Sequence, residues 1–164
     1  MSLVLDSSAV LAWIYQDERT ELALRIFERV AASGAWVPAL WRLEVANGLR
    51  TGLRLGRIDL PDRDAALSDL AMLRITADME TESHAWTSTL QLSDRFNLTV
   101  YDAAYLELAQ RRALPLATFD EPLRAAARRC RVGLIKSLTE LISLLRRGRR
   151  GAVPADRCGR PGRL

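Results

Sequence analysis

The sequence predicts an α/β fold in which helices cover a short parallel sheet. Short apolar runs alternate with longer segments of helical periodicity along most of the 164 residues. Strands that are separated by helices connect through right-handed crossovers, which favours parallel pairing. The length suits one domain with a core of its own, and we find neither an internal repeat nor an interdomain linker.

The first half of the chain supplies two predicted strands and four predicted helices. The apolar run Leu3 to Leu5 is a buried strand that ends at Asp6, after which Ser7 and Ser8 offer hydroxyls to cap a helix. Gly34 is placed to end the second helix, and Pro61 lies near the start of the fourth. The strands are 3–5 and 35–37, and the helices are about 9–15, 20–32, 39–55 and 61–73.

The second half adds two predicted strands and four predicted helices. The strands are 116–117 and 132–135, and the helices are 84–96, 101–112, 121–129 and 137–147. Residues 146–164 are rich in Arg, Gly and Pro and lack apolar periodicity, so we expect them to be disordered. The predicted organisation is therefore a globular domain at 1–145 and an Arg-rich tail at 146–164.

Several classes of protein are excluded or disfavoured by composition. No apolar run approaches the roughly 20 residues that cross a bilayer, and the N-terminus lacks the basic region of a secretory signal. Cys130 and Cys158 form no CxxC pair, which argues against a zinc site or a disulfide framework. The expected compartment is the cytoplasm. Because His84 is the sole histidine, catalysis by several histidines is impossible.

The net charge of +4 is unevenly distributed. Residues 146–164 contain seven arginines against Asp156, a local net charge of +6, so residues 1–145 carry −2. The basic character therefore belongs to the tail, and the globular part is slightly acidic.

Four carboxylates follow strands or begin helices. Asp6 ends the first strand, Asp120 follows the 116–117 strand, Asp102 lies in the first turn of its helix, and Glu44 lies in the helix after the second strand. Ligands of open α/β sheets bind at the carboxyl ends of the strands, so we expect these four side chains to approach one another.

Each carboxylate also has a structural explanation. Asp6 could cap the following helix, and Asp102 stands at capping-box spacing from Thr99. Asp120 could begin a helix and pair with Arg124 four residues later. Glu44 has no basic neighbour one helical turn away, so it is either a partly exposed glutamate or one that needs a metal or a distant cation.

Clustered carboxylates without histidine, cysteine or lysine suit Mg²⁺ or Mn²⁺, ions that support phosphoryl chemistry. The sequence has no GxxxxGK[ST] loop and no GxSxG motif, which disfavours P-loop nucleotide binding and serine hydrolysis. The residues alone leave open a non-catalytic interpretation, in which the carboxylates are helix caps and surface charges of a binding module.

Three segments carry a resemblance to a known family. LVLDSSAVLAWI, WVPALWRLEVANGL and LSDRFNLTVYDAAYLELAQRRALPLATFD resemble the PIN-domain ribonucleases, and most of all the VapC-type toxins of toxin–antitoxin pairs. The resemblance extends over about residues 3–142, and its most specific part is the YDAAYLELA block followed by TFD.

The resemblance implies roles for individual residues. Asp6, Glu44 and Asp102 match the family's three acidic positions, and Asp120 matches a fourth that varies more among members. Three polar residues are implied near the metal or substrate, namely Ser8, Asn47 and Thr118. The Arg-rich tail and the net-negative globular part depart from the family pattern.

The resemblance also implies an architecture and an activity. The fold would be a three-layer α/β/α arrangement around a parallel sheet of four to five strands. The activity would be Mg²⁺-dependent cleavage of RNA by a metal-activated water, which leaves 3′-hydroxyl and 5′-phosphate ends. The implied partners are RNA, a second copy of the chain and an antitoxin that covers the site.

Overall fold

The computed structural model describes residues 1–136 and confirms the α/β/α class. Its sheet has four parallel strands in the order β3-β2-β1-β4, so β1 is central. Val4 pairs with Trp36 on one side and with Leu116 on the other. The strands are β1 (Leu3–Leu5), β2 (Ala35–Pro38), β3 (Ile75–Asp78) and β4 (Leu116–Ala117).

Eight α-helical segments surround this sheet within residues 1–136. A 3₁₀ turn, Gln16–Glu18, follows the first of them, and a π-helical segment, Ala85–Thr89, joins the fifth to the sixth. None of these helices combines the length and the apolar character needed to cross a membrane. They are α1 (Ser7–Ile14), α2 (Glu21–Ser33), α3 (Trp41–Arg54), α4 (Leu60–Met72), α5 (Thr81–His84), α6 (Leu90–Phe96), α7 (Val100–Arg111) and α8 (Glu121–Arg129).

Polar caps fix where several helices begin. The Thr20 side chain accepts a hydrogen bond from the Ala23 amide at the start of α2. Asp59 and Asp62 form a reciprocal capping box at the start of α4. These bonds satisfy amide groups that have no partner within the helix, so the sequence sets each starting point locally.

The core is built around β1 and α7. All three residues of β1 are buried, and α7 packs against β1, β2 and β4. The other side of α7 is covered by α6, the π-helical segment and α8. Because α7 lies between the sheet and these helices, it is buried almost all round, and its first turn is brought to the carboxyl end of β1.

The structure corrects two strand predictions. Residues 132–135 do not form a strand; only Leu134 makes an isolated parallel bridge, to Leu116. The sequence prediction also missed β3, which pairs with β2 and exposes Thr76 and Ala77. A strand whose middle residues face solvent lacks the apolar run that reveals a buried strand. The predicted helix at 137–147 and the tail at 146–164 lie outside the described residues.

A charged network fastens β3 to α7. The buried side chain of Asp78 accepts hydrogen bonds from Arg111 (2.7 Å) and Arg112 (2.8 Å). Burial opposes the charge of Asp78, but the two guanidinium groups outweigh it and hold the pKa of this carboxyl below its usual range. Arg111 also pairs with Glu107 on its own helix.

Candidate active site

Asp6 lies at the carboxyl end of the central strand and is only 3% exposed. It occupies the N-cap position of α1, where the Ser8 backbone contributes only the smallest influence on its carboxylate, so capping accounts for little of the surroundings of Asp6. Its Oδ2 instead accepts hydrogen bonds from Ser8 Oγ and Thr118 Oγ1, each at 2.5 Å. Two hydroxyls therefore fix the orientation of this buried carboxylate.

The same two hydroxyls tie the segment after β4 to the start of α1. The Phe119 amide donates to Ser8 Oγ, and the Asp120 amide donates to Thr118 Oγ1, both at 3.0 Å. The predicted polar residues Ser8 and Thr118 are thus brought directly to Asp6.

Glu44 lies half-buried on α3 and receives a hydrogen bond from a tyrosine. The Tyr105 hydroxyl donates to Glu44 Oε2. Within residues 1–136, no Arg, Lys or His forms an ion pair with Glu44. The distant cation that could have explained this glutamate is therefore absent from the described part of the chain.

Asp102 lies in the first turn of α7 and is held by Thr99. Thr99 Oγ1 accepts from the Asp102 amide (3.0 Å) and donates to Asp102 Oδ2 (2.6 Å). The capping interpretation is thus correct for Thr99, but the Asp102 carboxylate returns to the Thr99 hydroxyl rather than to its backbone. The carboxylate is therefore not needed to satisfy the first amides of the helix.

The electrostatics link Asp6, Glu44 and Asp102. Burial raises the pKa of Asp6, and the charge of Asp102 raises it further against the two hydroxyl hydrogen bonds. Burial also raises the pKa of Glu44, assisted by the charges of Asp6 and Asp102. Asp6, Glu44 and Asp102, which lie on three separate elements, are therefore within electrostatic range of one another. They are not already grouped closely enough within residues 1–136 to hold a metal ion.

Asp120 lies beside this group and begins α8. Its Oδ1 accepts a hydrogen bond from the Leu123 amide at 2.7 Å, as expected of a helix cap. Arg124 donates to the Thr118 carbonyl and pairs with Glu121, so the expected pair between Asp120 and Arg124 does not form. A groove of about 380 Å³ begins at Ser8 and Asp120 and extends along α3 past Gly48 and Gly52, but Asp6, Glu44 and Asp102 do not line it.

Comparison with known proteins identifies the family of the chain. The PIN-domain family profile matches residues 3–129 of the chain.

The chain belongs to the PIN-domain family.

Curated relatives of this PIN domain carry the name Ribonuclease VapC3. One, from Pyrobaculum aerophilum, is 30% identical over 123 residues, covering 75% of this chain and 92% of the relative. Another, from Mycobacterium tuberculosis, is 32% identical over 126 residues, covering 76% and 86% respectively. These similarities confirm the VapC-type resemblance.

Solved structures show the same fold. PAE2754 from Pyrobaculum aerophilum superposes with a TM-score of 0.61 at 22% identity, covering 89% of this PIN domain and 96% of that chain. FitAcB from Neisseria gonorrhoeae gives 0.55 at 18% identity, covering 83% and 97%. At these identities, the comparison supports the architecture alone.

Asn47 was predicted near the metal or substrate, which stays a prediction, and Tyr105 was missed. Asn47 is exposed on α3, and no hydrogen bond of its side chain exists within residues 1–136. Tyr105, which contacts Glu44, was not predicted as a site residue. Its signal was its position three residues after Asp102, because residues at this spacing share a helix face.

Proposed function

We propose that this PIN domain is a Mg²⁺-dependent endoribonuclease, the toxin of a toxin–antitoxin pair, with its site at Asp6, Glu44, Asp102 and Asp120. The observation that carries the proposal is the environment of Asp6. This carboxylate is buried, lies within electrostatic range of Asp102 and Glu44, and has no cation partner in residues 1–136. Relatives over most of the chain are named ribonucleases, which supports RNA as the substrate.

The donor chemistry fits a hard divalent cation. Carboxylate oxygens are the ligands that Mg²⁺ and Mn²⁺ prefer, and a cation would relieve the repulsion that raises the pKa values of Asp6 and Glu44. No group of three Asp, Glu, His or Cys side chains in residues 1–136 is already arranged to hold a metal. Tyr105 engages Glu44 Oε2 and Thr99 engages Asp102 Oδ2, so Glu44 Oε1 and Asp102 Oδ1 are the oxygens that would be left for a metal. The carboxylates would draw closer together when the cation binds.

Each residue has a defined part in this proposal. Asp6, Glu44 and Asp102 would hold the metal, and Asp120 would join them through Oδ2, because Oδ1 serves the cap of α8. Ser8 and Thr118 keep Asp6 oriented by donating to its Oδ2. Mg²⁺ supplies polarisation of the scissile phosphate and a lowered pKa for bound water.

Cleavage of a defined single-stranded RNA tests the proposal. Purified protein should cleave in Mg²⁺ to leave 3′-hydroxyl and 5′-phosphate ends, stop in EDTA and resume when Mg²⁺ is restored. Asp6→Asn should abolish cleavage, whereas Asp94→Asn, which changes an exposed aspartate on α6, should not. RNA binding without metal-dependent cleavage would instead support a non-catalytic binding module.

The partners and compartment form part of the same proposal. We expect a homodimer, an antitoxin that covers the acidic site, and a location in the cytoplasm. Co-expression with a small protein encoded beside this gene should give a stable complex in which cleavage is suppressed. RNA cleavage by that complex at the rate of the protein alone would contradict the toxin–antitoxin assignment. It would not contradict the proposed nuclease activity.

A further inference from the structure

The Tyr105 hydroxyl is the sole hydrogen-bond partner of the Glu44 carboxylate within residues 1–136. The Tyr105 side chain is fully buried in α7, on the helix face that it shares with Asp102. The Ser7 side chain, next to Asp6, also acts on this hydroxyl and lowers its pKa, against the larger raising effect of burial. A rigid, buried ring therefore holds a hydroxyl between the elements that carry the three acidic residues.

Glu44 needs an anchor of this kind. The side chain is half-buried, and the charges of Asp6 and Asp102 act against its own charge. A glutamate repelled by its neighbours and free to rotate would turn towards solvent. The hydrogen bond from Tyr105 to Oε2 opposes this rotation. Glu44 Oε1 has no hydrogen-bond partner among residues 1–136, so this oxygen is left for a ligand.

We propose that Tyr105 is a positioning residue that holds the Glu44 carboxylate in the site and leaves Glu44 Oε1 to the metal. The inference rests on the proposed function. Tyr105 would act through Glu44, a proposed metal ligand, and would not contact the substrate. Partners that orient a metal ligand typically account for about 10–100-fold in metal affinity.

Metal binding by the full chain tests this role with a readout that does not depend on cleavage. Mn²⁺ affinity is measured by calorimetry and by electron paramagnetic resonance for wild type, Tyr105→Phe and Tyr15→Phe. Tyr15 is the matched control, because its buried hydroxyl donates to the Gly48 carbonyl of the same helix α3 at 2.7 Å. Each variant removes one phenolic hydrogen bond to α3, but only Tyr105 contacts a site carboxylate.

Tyr105→Phe should weaken Mn²⁺ binding by about tenfold or more, and Tyr15→Phe should leave it unchanged. In the Glu44→Gln background, Tyr105→Phe should have no further effect, because its action passes through Glu44. Wild-type or tighter binding by Tyr105→Phe, or an equal loss in the Glu44→Gln background, would overturn the inference. Tyr105→Met serves as a second hydroxyl-free variant if Tyr105→Phe does not fold.

The same titration separates this inference from the proposed function. If wild type binds no Mn²⁺, or if Glu44→Gln binds it as wild type does, the metal site itself is wrong, and the role of Tyr105 fails with it. If wild type binds Mn²⁺, Glu44→Gln binds it measurably more weakly, and Tyr105→Phe behaves as wild type, only the positioning role is wrong.

Discussion

At the scale of single residues, two buried aspartates at strand ends have opposite electrostatic surroundings. Asp78 ends β3 against two arginines, which lower its pKa. Asp6 follows β1 and meets two hydroxyls and other carboxylates, and its pKa is raised. A fold that needed the charge of Asp6 only for stability would have paired it, as it pairs Asp78. The unpaired charge therefore points to a ligand.

The raised pKa of Asp6 predicts a characteristic dependence of stability on pH. The folded protein holds this proton more tightly than the unfolded chain does. The contribution of Asp6 to the free energy of unfolding therefore falls as pH rises from its ordinary value, 3.8, through the raised one. Asn does not titrate, so the metal-free Asp6→Asn variant should gain stability relative to wild type across this window. Urea unfolding in EDTA over a series of pH values measures the difference, and a difference that does not change with pH would contradict the shift.

At the scale of elements, α7 joins the site to the rest of the fold. Its first turns carry Asp102 and Tyr105, and its last turn carries Arg111, which contacts Asp78 at the end of β3. The start of this buried helix thus places two site residues at the carboxyl end of β1, and its last turn binds the end of β3. Displacement of α7 should therefore affect the site and the sheet together.

Substitutions of Thr99 and Asp102 at the start of α7 distinguish a residue that stabilises the helix from one that is proposed to act in cleavage. Thr99→Ala removes the hydroxyl that caps the helix and should cost about 1 kcal/mol of stability, with measurable cleavage retained. Asp102→Asn keeps the cap, removes one of the repelling charges and should abolish cleavage with stability unchanged or higher. Thermal unfolding in EDTA and a cleavage assay on both variants provide the comparison. A clear loss of stability in Asp102→Asn with cleavage intact would make Asp102 structural.

The sequence predicted most elements because their signals are local. Leu3 to Leu5, the capping position of Thr99 and the start of α8 at Asp120 depend on neighbouring residues alone. The edge strand β3 was not predicted, because Thr76 and Ala77 face solvent and the strand lacks a buried apolar run.

Contacts between distant residues could not be predicted in this way. The hydrogen bond of Tyr105 to Glu44 joins residues 61 positions apart, and a tyrosine within an apolar helix is typical of a core residue. The Asp6 carboxylate was placed correctly at a strand end, but its bond to Thr118, 112 positions away, depends on β4 lying beside β1.

At the scale of the whole molecule, charge is unevenly divided along the sequence. Residues 1–145 carry −2 and offer little long-range attraction to RNA, whereas residues 146–164 carry +6. The site lies before residue 121, so the tail and the chemistry are separate in sequence.

Deletion of residues 146–164 should therefore weaken RNA binding and flatten its salt dependence. For single strands, each phosphate that the tail no longer neutralises should reduce the slope of log affinity against log salt by roughly 0.7. Cleavage at saturating RNA should persist. Binding of both forms over a range of salt checks this, and identical slopes would contradict a role of the tail in RNA binding.

The proposed metal-dependent site is tested most directly by asking whether its acidic residues act as one catalytic unit. Initial cleavage rates in Mg²⁺ are compared for wild type, Asp6→Asn, Glu44→Gln, Asp102→Asn and the Asp6→Asn/Glu44→Gln double variant. We predict that each single substitution lowers the rate by about 10³-fold or more and that the double variant is no slower than the singles. Single variants that keep near-wild-type rates, or losses that multiply in the double variant, would contradict a shared metal-dependent site.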